Sequence, residues 1–352
     1  NILSVKKDGT TVKSYAYGDT EWKDLLTSFN GQTITYDQIG NPLSYRNGFN
    51  FTWSNGRQLT GITNGNDNIS YLYNADGQRV QKTVNGAVTD YYYINGILQA
   101  QKTGDEYILF LYDENGTAYG MVIRNGTTEE YYYYLFNAQG DVIGIVDSTG
   151  VQVVSYEYGA WGDITSITGD LAATIGEKNP IRYRGYYYDT ETGFYYVSSR
   201  YYDTEVGRWI SPEPNVEYGE FDEGSEIFGY NVYAYCFNNP VNNFDPDGEA
   251  VANIVGGVIG GVAGAALGYL LAGKLGLTGW KKWALISAAA VGGAALGALL
   301  GPYVAKLGGK VAAKLGIKTA SKAVFKSIGK ITAQKMSHIN VTKHLWGKVL
   351  KR

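Results

Sequence analysis

RGYYYDTETGFYYVSSRYYDTEVGRWISPEP, residues 184–214, contains one phrase twice: Tyr188 and Tyr202 each open Tyr-Asp-Thr-Glu-x-Gly. Looser versions precede it at Tyr36-Asp37-x-x-Gly40, Tyr73-Asn74-x-x-Gly77, Tyr112-Asp113-x-x-Gly116 and Phe136-Asn137-x-x-Gly140, with a weaker one at Tyr158-Gly159-x-x-Gly162. Their aromatic positions lie roughly 37, 39, 24 and 22 residues apart, a scale that suggests stacked supersecondary units. Each unit reads as strand and turn. Alternating aromatics such as Tyr71 and Tyr73, or Tyr156 and Tyr158, suit a strand with one buried face. Asp or Asn then opens a turn through a side-chain hydrogen bond, and Gly supplies positive φ. Asn95-Gly96 and Asn125-Gly126 are hairpin signals.

Composition points the same way. The 352 residues include 32 Tyr and 47 Gly but only 7 Pro, which suits short strands joined by tight turns. Isolated hairpins are marginal in water, so they must pack side by side and hide their edges. A continuous sheet that coils round itself does both. Cys236 stands alone, which rules out an internal disulfide framework. The chain opens inside a repeat, with neither a Met start nor a signal peptide, so a longer parent chain is expected.

Charge divides the sequence. Residues 1–249 hold 15 basic and all 33 acidic residues, a net of about −18. Residues 306–352 hold eleven Lys and one Arg with no acid, about +12. Such polarity argues for separate jobs.

The phrases RYRGYYYDTETGFYY (182–196), SRYYDTEVGRWISP (199–212) and YAYCFNNPVNNFDPDG (233–248) resemble the RHS/YD-repeat proteins, and more narrowly the RHS-repeat-associated core that closes their repeat array. The resemblance covers residues 30–248 or so. It implies a mainly β fold in which β-hairpin repeats coil into a hollow shell, a core closes one end, and a variable toxin follows. The expected segments are repeats over 1–180, the core over 181–249, a Gly/Ala-rich apolar helical hairpin over 250–305, and a basic helical segment over 306–352 that begins a toxin domain.

Many members of that family cut themselves after an Asp-Pro-x-Gly-Leu phrase with two carboxyls of the core. Asp245-Pro246-Asp247-Gly248 matches the phrase, and Asp203 and Asp245 are the candidate carboxylates, with Asp247, Gly248 and Glu249 as the cleavage region. The chain departs from the pattern at Glu249 in place of Leu, at Thr204 in place of Pro, and at Glu213-Pro214 where Asp-Pro is common. The alternative is that Asp245 and Asp247 simply form a turn at the chain's exit.

Residues 251–273 and 283–305 are two uncharged spans of 23 residues, each long enough to cross a membrane. Gly256, Gly260, Gly264 and Gly268 allow close helix packing. The alternative is a helical hairpin buried inside the shell. Lysines then fall every fourth residue from Lys306 to Lys330. As helix they form a basic stripe that suits an anionic membrane, a nucleic-acid backbone or the acidic shell itself. A solvated face is the plainer reading. His338 and His344 could act as acid and base in RNA cleavage, or sit incidentally in a basic helix. One distant Cys gives no metal constellation, and no cofactor is expected.

Two functions therefore compete. One is the C-terminal part of a secreted bacterial polymorphic toxin used in interbacterial competition, with its own toxin segment and an immunity protein as partners. The other is a cell-surface adhesion or glycan-binding repeat protein, whose tyrosines stack on carbohydrate and whose tail anchors it in a membrane.

Overall fold

A computed structural model describes residues 1–114, 116–198, 200–213 and 231–245, Gly248, and the backbone of Ala252–Asn253. The chain divides into two units, Asn1–Val255 and Gly256–Arg352, and the described residues all belong to the first. Outside them lie Asp247, Glu249, His338, His344 and, beyond the two strand residues 252–253, the helical tail expected over 250–352.

Fourteen strands, from Thr35–Tyr36 to Ile164–Thr168, form one sheet in which every strand pairs with its neighbour in sequence. This is the chain of antiparallel hairpins that the repeats predict, and we call it the wall. The repeated phrase makes its turns. Asp37 Oδ1 accepts from the amides of Ile39 (3.0 Å) and Asn41 (2.8 Å). Asn74 Oδ1 does the same for Asp76 (3.0 Å) and Gln78 (2.9 Å). Gly40, Gly77, Gly116, Gly140 and Gly162 close these turns at φ of +78° to +87°, which a side chain adopts only with strain.

The phrase prefers Tyr to Phe for a reason visible in the backbone. Tyr73 Oη donates to the Leu59 carbonyl (2.8 Å), Tyr93 Oη to Arg79 (3.1 Å), Tyr112 Oη to Leu98 (2.6 Å) and Tyr158 Oη to Val142 (2.7 Å). Each acceptor belongs to the paired strand that precedes it. The pairing register also slips at these aromatic positions, between Thr35 and Tyr36, Leu111 and Tyr112, Leu135 and Phe136, and Glu157 and Tyr158. A bulge leaves ladder groups unpaired and increases the local twist. The tyrosine hydroxyl reaches the other way, to the preceding strand, and bonds to a carbonyl opposite the slip of the hairpin before, as Tyr158 does to Val142, the partner of Phe136.

A second sheet of four strands, Tyr187–Asp189, Phe194–Val197, Arg200–Asp203 and Arg208–Trp209, is the closing sheet. Its residues do not alternate, because both faces are covered. Phe194, Tyr196 and Tyr201 pack with the wall residues Phe49, Phe51 and Tyr71, while Tyr195, Val197, Tyr202 and Trp209 pack with Tyr183, Tyr186, Tyr235 and Cys236. Laid flat at about 4.8 Å per strand, the wall would span roughly 60 Å. Yet residues 179–203 meet it from Arg46 (to Asp203, 2.6 Å) through Gln101 (from Tyr187 Oη, 2.7 Å) to Tyr134 (to Asn179, 2.9 Å). The wall therefore curls round the closing sheet.

The chain departs from expectation just past Gly248. Ala252–Asn253 is a short strand paired with Asn243–Phe244, where an uncharged helix is predicted to begin at Val251. Backbone pairing with the core claims these first residues.

Candidate functional site

The doubled phrase of the closing sheet grips the wall twice. Asp203 is fully buried, and Arg46 meets both of its oxygens at 2.6 and 2.8 Å, while Glu205 takes the same guanidinium at 2.6 Å. Asp189 is also fully buried and receives Arg79 at 2.5 and 3.0 Å and Lys82 at 2.8 Å. Glu191 takes Lys82 at 2.7 Å. In both phrases, Asp and Glu two residues apart hold a cation from the wall.

The electrostatics at Asp189 follow from burial against charge. Burial pushes its carboxyl up, but Arg79 and Lys82 outweigh that and hold it below the usual carboxylate range. Glu191, mostly buried beside Asp189, is pushed up by burial first and by that neighbouring charge second. Arg79 also lies 4.4 Å from the Tyr196 ring centroid and 5.0 to 5.2 Å from those of Tyr91, Tyr187 and Tyr71. These faces suit a cation stripped of water.

A different arrangement surrounds Gly248. Arg200, on the strand Arg200–Asp203, is buried with its guanidinium 4.2 Å from the Trp209 ring centroid. Its Nε donates to the Gly248 carbonyl at 2.5 Å. Its Nη2 meets Glu213 Oε2 at 2.6 Å and Asp245 Oδ2 at 3.4 Å. Asp245 Oδ1 in turn accepts the Gly248 amide at 2.8 Å. Tyr186 Oη donates to the Asp245 carbonyl and lies 3.3 Å from Tyr235 Oη. Burial raises the pKa of both phenols well above the usual value, so they stay protonated donors.

Backbone strain sits beside this site. Cys236, Phe237 and Asn238 follow one another in the left-handed region, at φ of +50°, +53° and +58°. Such runs persist only where the surroundings hold them. The Cys236 carbonyl accepts from the Asn239 amide (2.9 Å) and from Asn243 Nδ2 (3.1 Å), and Tyr235 stacks on Tyr202 at 3.9 Å.

Of the residues expected from sequence, Asp245 and Gly248 come together. Asp203 lies at the far end of Arg200's strand, in the grip of Arg46. The carboxylate that shares a guanidinium with Asp245 is Glu213. Sequence reasoning missed Arg200, Glu213 and Tyr186 as members of this site. The signal for Glu213 was present, since Glu213-Pro214 stands where Asp-Pro is common.

Comparison with known proteins extends the picture. Over 248 residues the chain is 38% identical to the tRNA3(Ser)-specific nuclease WapA of Bacillus spizizenii, covering 65% of this chain and 10% of that protein. It is 40% identical over 241 residues to the tRNA(Glu)-specific nuclease WapA of Bacillus subtilis subsp. natto, with the same two coverages. The chain thus spans about a tenth of the length of these relatives. Its fold is similar to that in the crystal structure of TcdB2-TccC3, with a TM-score of 0.51 at 22% identity, covering 67% of this chain and 13% of that one. The Teneurin YD-shell family model matches residues 1–241, the span of the wall, the clamps and the closing sheet, and the chain belongs to that RHS/YD-shell family.

Proposed function

We propose that residues 1–249 are the closing part of a toxin-carrying shell in a secreted bacterial polymorphic toxin, and that the chain beyond is cargo freed by self-cleavage near Gly248. The observation that carries this reading is the pair of carboxylates, Asp245 and Glu213, on one guanidinium beside Gly248. Aspartyl-type peptide hydrolysis uses two such groups. One carboxylate takes a proton as water attacks the carbonyl carbon. The other, protonated, gives its proton to the departing amide nitrogen as the C–N bond breaks, leaving a new carboxylate and a new amine. We assign these roles to Asp245 and Glu213, and Asp203 to the clamp.

The relatives favour a toxin carrier over the glycan-binding alternative. Two nucleases named for different tRNAs match this same region about equally well. Choice of target therefore lies outside the matched region. The cargo is therefore read from the chain beyond the match, where His338 and His344 are the candidate acid and base of a nuclease, with an immunity protein as its neutralising partner.

Expression of the full chain tests the reading. Mass spectrometry should find two fragments parted within a few residues of Gly248, and Asp245→Asn or Glu213→Gln should slow the break by about 100-fold or more. A chain that stays intact through prolonged incubation at neutral pH overturns self-cleavage.

A further inference from the structure

We infer that Asn95 is a self-modification site: its side-chain amide hydrolyses through a cyclic imide closed by the backbone nitrogen of Gly96. The inference is independent of cargo release. Asn95-Gly96 is the two-residue loop between the strands Ala87–Ile94 and Ile97–Thr103, with Ile94 and Ile97 as the last pair. Two other loops share that design. Asn30-Gly31 lies between the paired Phe29 and Gln32, and Asn85-Gly86 between the paired Val84 and Ala87. The three Asn have φ of +49° to +51° and the three Gly +78° to +88°, as this hairpin turn requires. All three Asn are exposed. Backbone and access are therefore alike.

What differs is the mooring of the side chain. Asn30 Oδ1 accepts from the Ser14 amide (2.8 Å), with the Ser14 hydroxyl at 3.5 Å, and the Asn30 amide donates to the Ser14 carbonyl (2.9 Å). Asn85 Oδ1 accepts from the Asn68 amide (2.8 Å), its Nδ2 donates to Asp67 Oδ1 (2.8 Å), and its own amide donates to the Asn68 carbonyl (2.9 Å). The Asn95 side chain bonds to none of the described residues. At this tip Gln78 Nε2 reaches only the Gly96 carbonyl, at 3.1 Å.

The reaction needs no helper beyond water. The Gly96 nitrogen, once its proton has passed to hydroxide, bonds to Asn95 Cγ as the Cγ–Nδ2 bond breaks and ammonia leaves. Water then opens the imide at either carbonyl, giving aspartate or isoaspartate. One water is consumed, one ammonia is released and nothing is oxidised. Glycine has no side chain to shield the attacking nitrogen. Ring closure requires the Asn95 side chain to turn and the peptide between the two residues to rotate. That peptide lies outside the last strand pair, so it rotates while the strands stay joined. At Asn30 and Asn85 the same motion must first break the side-chain hydrogen bonds.

The full chain, held folded in mildly alkaline buffer, tests this by mass-spectrometric peptide mapping of all three loops in one digest. Asn95 should convert about 5-fold faster than Asn30 and about 25-fold faster than Asn85, for one and two side-chain bonds broken. Isoaspartate should appear at Asn95 beside aspartate, read by enzymatic methylation. In denaturant the three rates should converge. Asp67→Ala removes one mooring and should speed Asn85 about 5-fold while leaving Asn95 unchanged. Equal rates in the folded chain, or the same ranking in denaturant, would overturn the inference. So would an Asn95 that keeps its amide while the unfolded chain converts, or an Asn85 indifferent to Asp67→Ala.

Discussion

The same short phrase does different work in the wall and in the closing sheet. In the wall its acidic position caps its own turn: the Asp37 side chain accepts from amides two and four residues on. An uncharged acceptor serves as well, and Asn74 and Asn137 fill the equivalent place. In the closing sheet the equivalent residues, Asp189 and Asp203, are fully buried against wall cations. Asparagine there would leave a buried cation without its counter-charge. The wall uses the geometry of the side chain alone; the closing sheet adds its charge, and Asp203 still accepts from the Glu205 amide two residues on (2.9 Å).

The comparison can be broken most severely with alkali. Burial raises the pKa of Tyr195 and Tyr202 in the closing sheet well above normal, and pushes that of Tyr112 in the wall up to about 12. A group whose pKa is raised on folding adds stability that is fully present below its unfolded pKa, about 10 for Tyr, and is lost as pH rises through the folded value. Stability should therefore hold to near that pH and fall above it. Tyrosinate absorbance of the buried rings should appear together with cooperative loss of β structure by circular dichroism. Gradual titration of every tyrosine near its ordinary pKa, with the fold intact, would refute the packing described.

Charge against geometry is tested next. Asp189→Asn should cost about 3–5 kcal/mol, as expected for breaking a buried ion pair. Asn74→Asp in the wall should change stability by no more than about 0.5 kcal/mol. Equal costs in denaturant unfolding would erase the distinction. A smaller effect separates two glycines of like conformation, Gly40 at φ +86° and Gly140 at φ +85°. Alanine at either is strained by about 1 kcal/mol. At Gly40 its Cβ also collides with the Tyr233 hydroxyl and Trp22, whereas nothing lies within 4 Å of it at Gly140. Gly40→Ala should therefore be worse by a further 1–3 kcal/mol or so, in the range of overpacking. Equal melting temperatures for the two variants would show that the Tyr233 contact yields freely.

What was legible in the sequence was local. A turn needs an acceptor, a glycine and two flanking strands, all within a few residues, so five of the wall's turns could be read from the phrase. The turn at Asp147 escaped because Val146 replaces the aromatic, although Asp147 Oδ1 accepts from Thr149 (2.8 Å) and Val151 (3.0 Å) in the same way. The long-range partners were hidden. Nothing near Asp203 points to Arg46, 157 positions away, so a clamp residue looked like a cleavage carboxylate. Arg200 likewise reads as part of an aromatic strand until Gly248 is seen folded against it.

Because each strand of the wall pairs only with its neighbours in sequence, the wall has a low contact order. Hairpins of this kind can form one after another as the chain leaves the ribosome, each completed soon after its second strand emerges. The clamps are the opposite case. Arg79 waits for a partner 110 residues later and Arg46 for one 157 residues later. Until those partners arrive, Arg46, Arg79 and Lys82 stand unneutralised on a surface that will later be dry. Docking of the closing sheet should accordingly be the late, slow step of folding.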